Sequence, residues 1–205
     1  MLLLKLKRLS IESKLKILAI FPLIFIIGLS FFMIYDSYEK DLKLKNVEKL
    51  LILNTKISLL LHETQKERGL SVAYLESKND TFKKNLLNQR ELTNNKIDEF
   101  KTYLVDFSYY SNQGKINIEN VLKELSKIEN IRNEINELKV KSKNVISYYS
   151  NLNSSLLSFV ANSSYIAENE KIINNLTAYY NFLMAKERAG LERAMGSNTF
   201  TNKTF

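Results

Sequence analysis

Residues 17–35, ILAIFPLIFIIGLSFFMIY, form a run of 19 positions without a charged side chain. About 20 apolar residues in a helix are needed to cross the hydrocarbon core of a membrane. A secretory signal peptide is the alternative, but its apolar core has about 7–15 residues and ends at small residues before a cleavage site. Here the run ends at Met33, Ile34 and Tyr35. We therefore predict that residues 17–35 form a transmembrane helix.

Basic residues lie on both sides of this apolar segment. Those before it are Lys5, Lys7, Arg8, Lys14 and Lys16, and those shortly after it are Lys40, Lys43, Lys45 and Lys49. The excess of basic residues before the segment is small, and it favours a cytoplasmic N-terminus. We expect residues 1–16 to be a cytoplasmic tail and residues 36–205 to be an extracytoplasmic domain.

The chain beyond Tyr35 has the pattern of long helices divided by short polar breaks. With five glycines and one proline, it lacks the turn residues that a fold of many short strands needs. Apolar residues recur at three- and four-residue spacing, as at Val121, Leu125, Ile128, Ile131 (or Arg132), Ile135 and Leu138. The predicted helices are Tyr38 to about Glu76, Thr81–Tyr110, about Asn117–Lys139, about Ser142–Ile166 and about Glu168–Met195. We predict an all-α fold, in which an N-terminal transmembrane helix precedes an elongated antiparallel helical bundle.

Composition argues against several classes of function. The chain has no cysteine and one histidine, His62, which leaves almost nothing to build a thiolate metal centre, a His-rich metal site or a Ser-His-Asp triad. No pair of nucleophile and base is recognisable, so we expect no enzyme activity, no metal and no cofactor. The net charge is +8, but no basic run has interleaved aromatic residues, so we expect no nucleic-acid partner.

Two similar motifs lie 120 residues apart, KERGL at residues 66–70 and KERAGL at residues 186–191. Only six of the 30 basic residues are arginines, and three of these are Arg68, Arg188 and Arg193. Helical spacing from each motif gives two apolar stripes, one of Ile57, Leu61, Thr64, Arg68, Val72 and Leu75, and one of Tyr180, Met184, Arg188, Leu191 and Met195. Both Arg68 and Arg188 are therefore predicted to point inward, where a guanidinium needs a carboxylate or a bound anion.

Two interpretations of these arginines stay open at this point. In the first, Arg68 and Arg188 form internal salt bridges that fix helix packing. The carboxylates available for such pairs are Glu63, Glu67 and Glu187. In the second, they bind one planar oxyanion, which a guanidinium fork matches better than an ammonium does. Gly69 and Gly190 favour the second, because each costs about 1 kcal/mol in a helix and indicates close approach or free space.

His62 lies six residues before Arg68, on a different face of the predicted helix. We interpret it as an exposed or half-buried surface residue and not as a ligand.

Three segments together resemble the nitrate- and nitrite-sensing (NIT) domain of bacterial transmembrane receptors. They are LHETQKERGLS at residues 61–71, YYSNL at 148–152 and MAKERAGLERA at 184–194, and the resemblance covers about residues 40–205. It implies an all-helical fold of two bundles that binds nitrate or nitrite through arginines on different helices. Arg68 and Arg188 are the implied anion-binding residues, with Lys66 and Arg193 as their neighbours. Such domains continue into further helices, a second membrane span and an output module, so the chain resembles an N-terminal fragment.

The resemblance implies a sensor in the bacterial inner (cell) membrane. We expect a homodimer through its helices that binds nitrate or nitrite and passes a helix displacement to a cytoplasmic signalling module. Chemotaxis is the first output that we expect, while a histidine kinase or a nucleotide cyclase is compatible with the same residues. The alternative from a different class is a structural or oligomerising membrane protein whose arginines form internal salt bridges.

Overall fold

The computed structural model describes residues 10–105, 112–163 and 170–202. Within these ranges the chain forms helices and no strand. The helices are α1 (Ile11–Ser77), α2 (Asp80–Val105), α3 (Asn112–Leu125), α4 (Ile128–Asn136), α5 (Ser142–Ser163) and α6 (Glu170–Asn202). The predicted fold class, a long apolar N-terminal helix followed by a helical bundle, is confirmed. The predicted helix ends at Tyr110 and Ile166 and the predicted start at Glu168 lie outside the described residues.

The chain divides into two compact units, residues 1–46 and residues 47–205. In the first unit, the apolar segment 17–35 lies within α1, and all of its side chains are exposed. Among the described residues, α1 is the helix that is long and apolar enough to cross a membrane. Exposure of so many apolar side chains is compatible with a helix that lies in lipid.

The second unit has an apolar core to which all six described helices contribute. The largest buried cluster includes Leu53, Ile57 and Leu60 of α1, Phe100 of α2, Ile118 and Val121 of α3, Leu156 and Val160 of α5, and Leu183 of α6. A smaller cluster surrounds Tyr149 and includes Tyr74, Leu86, Ile135 and Val145. All six residues of the stripe predicted on α1 are buried, which confirms the predicted orientation of Arg68.

The third predicted helix, about Asn117–Lys139, is in fact two helices, α3 and α4. A tight turn separates them, in which the Lys127 N–H donates to the Glu124 carbonyl oxygen at 3.1 Å. Leu125 and Ile128 are both buried on either side of the turn. Because the turn preserves their three-residue spacing, the apolar stripe continues through it and periodicity alone cannot reveal the break.

Candidate functional site

The second motif lies on α6, and its buried face differs from the predicted one. The buried residues near it are Leu176, Leu183, Glu187 and Ala194, at spacings of seven, four and seven. Arg188 is exposed, so its predicted inward orientation is wrong. One residue corresponds to about 100° of helix rotation, and the packing of Leu176 and Leu183 determines which residue of the motif is buried. That residue is the carboxylate, Glu187.

Arg68 of α1 pairs with Glu187 of α6. The Arg68 side chain is 1% exposed, and its Nη1 and Nη2 atoms donate to Glu187 Oε1 and Oε2 at 2.5 and 3.3 Å. Arg68 Nη1 also donates to Ser150 Oγ of α5 at 3.0 Å. Of the two interpretations made from sequence, the internal salt bridge is therefore the one that the structure shows for Arg68.

Glu187 has two further donors besides Arg68. Gln65 Nε2 and Asn153 Nδ2 both donate to Glu187 Oε2, at 2.7 and 3.1 Å. Thr64 Oγ1 donates to the Asn153 amide oxygen at 2.7 Å, which fixes the direction in which that amide points. We call this group of residues the Glu187 cluster. Among the residues that the structure describes, the buried Arg68 Nε has no hydrogen-bond partner.

Glycines lie next to the Glu187 cluster on both helices. A Cβ atom at Gly190 would lie 3.1 Å from Arg68 Nη2, whereas a Cβ atom at Gly69 would meet nothing within 4 Å. Gly190 therefore permits the close approach of the guanidinium to α6, and Gly69 borders open space. This matches the prediction that the glycines mark close approach or free space.

A cavity of about 300 Å³ lies between α1 and α6, and both glycines line it. Its other lining residues are His62, Gln65, Lys66 and Val72 of α1 and Lys186, Arg193 and Ala194 of α6. Three of them carry a positive charge, and none carries a carboxylate. Two predicted site residues, Lys66 and Arg193, thus line the cavity, and Arg68 reaches its wall at Gly190. Arg188 is not among the lining residues, and its role as an anion ligand stays a prediction.

The cavity carries more positive than negative charge. Burial lowers the pKa of Lys186 below that of an ordinary lysine; the charge of Glu63 opposes this shift, and the charge of Arg193 adds to it. Lys186 Nζ lies 2.9 Å from His62 Nδ1. Burial and the charge of Lys186 together lower the pKa of His62. A small anion would relieve the repulsion among these groups.

A second ionic group, the Glu67 cluster, lies deeper in the bundle. Glu67 is fully buried, and Arg132 of α4 holds it with two hydrogen bonds, Nε to Oε1 at 2.8 Å and Nη2 to Oε2 at 2.9 Å. The Tyr149 hydroxyl donates to Glu67 Oε1 at 2.7 Å, and Arg90 Nε lies 3.7 Å from the same oxygen. Arg132 Nη1 donates to the Asn94 side-chain oxygen at 2.7 Å and to Glu129 Oε1 at 2.6 Å. The carboxylate is enclosed on all sides by the protein's own donors.

Burial and the neighbouring carboxylate of Glu67 raise the pKa of Tyr149 well above its ordinary value, so this hydroxyl remains a hydrogen-bond donor over the physiological pH range. Sequence reasoning missed the Glu67 cluster, because its partners are distant in the chain. The available signal was Arg132, the alternative to Ile131 on the stripe, which is 3% exposed in the structure. Within the described residues, no group of three acidic, histidine or cysteine side chains is placed to hold a metal ion.

Comparisons with known proteins support the motif-based resemblance. The family model described as "Nitrate and nitrite sensing" (NIT) matches residues 59–205. Among solved structures, one match is the "Structure of the NasR transcription antiterminator", with a TM-score of 0.75 and 22% sequence identity. The match covers 82% of this chain and 47% of that one, so this chain spans about half the length of the matched protein. At this identity the likeness supports the fold alone. No curated protein matches the sequence.

Proposed function

The chain belongs to the nitrate- and nitrite-sensing (NIT) family, and we propose that it binds nitrate or nitrite in the cavity between α1 and α6. One observation carries the proposal: three cationic side chains, Lys66, Lys186 and Arg193, line a cavity bordered by two glycines and no carboxylate. Lys186 supplies positive charge, Lys66 supplies positive charge that it shares with Glu63 at 2.8 Å, and Arg193 supplies a planar fork of donors.

The size and charge of the cavity suit a small inorganic anion. One water molecule occupies about 30 Å³ in the liquid, so a volume of about 300 Å³ holds nitrate together with several waters. A hydrogen bond to a charged group contributes about 1.5–3 kcal/mol, so two or three such bonds provide useful affinity. Arg68 lies behind this shell, where Glu187 fixes its position.

Both helices that line the cavity take part in the Arg68–Glu187 pair. An anion that contacts Lys66 on α1 and Lys186 and Arg193 on α6 therefore changes the balance of forces between the two helices. We infer that the chain is anchored in the bacterial inner (cell) membrane. The change in the forces between the helices is passed to a signalling module on the cytoplasmic side. The length and apolar character of α1 support membrane anchoring.

The details of signalling rest on the resemblance made from sequence. We propose an extracytoplasmic sensor domain whose output is chemotaxis, and a histidine kinase or a cyclase module is compatible with the same residues. Three further points stay predictions from the sequence. The chain forms a homodimer through its helices, it has no nucleic-acid partner, and it has no catalytic activity.

A structural membrane protein is the second candidate function. The observation that favours it is the pairing of two buried carboxylates with arginines of the same chain, Glu187 with Arg68 and Glu67 with Arg132. Such pairs lock helix packing without any ligand. In that case the basic cavity would bind no anion. The two candidates therefore differ in whether added nitrate binds to the chain and stabilises it.

The test is a titration of the full, detergent-solubilised chain with nitrate, nitrite and chloride, followed by calorimetry and thermal unfolding. At 100 times its dissociation constant, a bound anion should stabilise the chain by about 2.7 kcal/mol. Lys186→Met should weaken nitrate binding by about tenfold or more, from the loss of one charged hydrogen bond. Lys101→Met is the matched control, because Lys101 is exposed on α2 and does not line the cavity.

Two results would contradict the proposal. One is stabilisation by chloride equal to that by nitrate at the same concentration, since this would indicate general screening and not a site. The other is equal nitrate affinity in the Lys186→Met and Lys101→Met variants.

A further inference from the structure

His62 is the chain's one histidine, and it lines the cavity from α1. Its Nδ1 atom lies 2.9 Å from the ammonium nitrogen of Lys186. An ammonium group carries donors only, so at this distance Nδ1 must accept the hydrogen bond. With Nδ1 as the acceptor, the imidazole is neutral and its proton lies on Nε2.

Charged groups on both helices face this imidazole. On α1 they are Glu63 and Lys66, and on α6 they are Lys186 and Arg193. Glu63 is already engaged, because Lys66 Nζ and the side-chain amide of Gln89 of α2 donate to it at 2.8 and 2.5 Å. The more distant Glu187 is neutralised by Arg68. A second proton on His62 would thus place two positive charges in direct contact, and the neighbouring carboxylate that favours this proton, Glu63, already pairs with Lys66.

A bound anion changes this balance. It supplies the negative charge that the cavity lacks, so it lowers the cost of a protonated imidazole and receives a further donor from it. We propose that anion binding in this cavity is coupled to proton uptake by His62, so that the site binds its ligand more tightly as the pH falls. The inference rests on the proposed function and adds to it a proton-linked ligand that sequence reasoning had discounted.

The sign of the pH dependence follows from linkage. The pKa of His62 lies below its ordinary value, and a bound anion would raise it. Affinity therefore increases as the pH falls through the pKa of the complex, and it levels off below the pKa of the protein without anion. A difference of about one pKa unit between the two states corresponds to about a tenfold change in affinity.

The charges of nitrate and of Glu63 stay constant between pH 8 and pH 5.5. Nitrate is the conjugate base of a strong acid and keeps one negative charge throughout. Burial alone would raise the pKa of Glu63, but the hydrogen bonds from Lys66 and Gln89 lower it overall, so Glu63 stays ionised. The chain has no second histidine, so a histidine signal that titrates in this window is assigned to His62, and the His62→Asn variant distinguishes its titration from that of Lys186, whose pKa is also lowered.

The experiment measures nitrate affinity of the full, detergent-solubilised chain at pH 8 and pH 5.5, and the pKa of His62 by NMR with and without saturating nitrate. We expect about tenfold tighter binding at pH 5.5 and a rise of about one unit in the pKa of His62. The control is His62→Asn, whose amide oxygen replaces Nδ1 as the acceptor for Lys186 but cannot take up a proton. Since His62 is exposed, the variant keeps the fold.

The possible outcomes separate the two proposals. Equal affinity of His62→Asn at both pH values supports the coupling. Nitrate binding with unchanged affinity and unchanged pKa of His62 overturns the coupling alone. A pH dependence that persists in His62→Asn overturns it as well, because another group would then take up the proton. Absence of nitrate binding at every pH overturns both proposals.

Discussion

The Glu67 cluster and the Glu187 cluster are built from the same parts. In each, a carboxylate from a Lys-Glu-Arg motif accepts two hydrogen bonds from an arginine on a different helix. Glu67 is fully buried and also receives the Tyr149 hydroxyl, whereas Glu187 is 8% exposed and lies near a glycine-lined cavity. The surroundings of a buried ion pair therefore decide whether it serves packing alone or also supports the wall of a cavity.

The difference arises from the side chains that cover each pair. Donors from α2, α4 and α5 surround Glu67, because Arg90, Arg132 and Tyr149 all direct polar atoms toward it. At the Glu187 cluster, Gly69 and Gly190 present no side chain, and the space left between the helices becomes the cavity.

The largest effect that we expect comes from Glu67→Gln. This change removes the buried carboxylate that pairs with Arg132 and Arg90 and leaves Arg132 with the largely exposed Glu129 as its ionised partner, so it should lower the free energy of unfolding by about 3–5 kcal/mol. Glu187→Gln should cost less, about 1–3 kcal/mol, because its surroundings are partly open to water. Urea denaturation of the solubilised chain, followed by circular dichroism without nitrate, measures both. Equal losses would show that the two clusters are energetically alike.

An intermediate effect is expected from a matched pair of glycine replacements. Gly69→Ala should stabilise the chain by up to about 1 kcal/mol, because its Cβ meets nothing within 4 Å and alanine favours the helix. Gly190→Ala should lose most of that gain, since its Cβ would lie 3.1 Å from Arg68 Nη2, an atom that Glu187 holds in place. Thermal unfolding of the two variants side by side gives the difference. Equal gains in both would show that the guanidinium moves freely and that the cluster is not rigid.

The smallest effect should come from Arg188→Met. Arg188 is exposed, so the substitution should change the free energy of unfolding by less than about 0.5 kcal/mol. Nitrate affinity in calorimetry should stay within about twofold of that of the unaltered chain. A tenfold loss of affinity would return Arg188 to the anion site, as the resemblance implies, and would widen the contrast between the two clusters.

The sequence predicted the orientation of α1 correctly and that of α6 wrongly, for a physical reason. On α1, six stripe residues at regular spacing determine one phase. On α6, the similarity of KERAGL to KERGL placed Arg188 where Arg68 lies, but Leu176 and Leu183 fix a phase that differs by one residue. A short motif carries chemistry, whereas apolar packing along the whole helix decides which of its residues is buried.

Parts of the site depend on contacts that no local pattern reveals. Arg132 lies 65 residues from Glu67, and Lys186 lies 124 residues from His62. Helical spacing did predict that His62 occupies a different face from Arg68, and the structure confirms that it is exposed. What spacing could not show is that α6 brings a lysine to that face.

The lowered pKa of Lys186 has a chemical consequence. At a given pH, a lysine with a lowered pKa has a larger fraction of uncharged amine than a solvated lysine, and the uncharged amine is the form that attacks acylating reagents. Lys186 should therefore react faster with such reagents than the exposed lysines do, and an anion that favours its charged form should slow the reaction. The rate of modification at this one side chain would report occupancy of the cavity inside intact membranes, where calorimetry cannot be used.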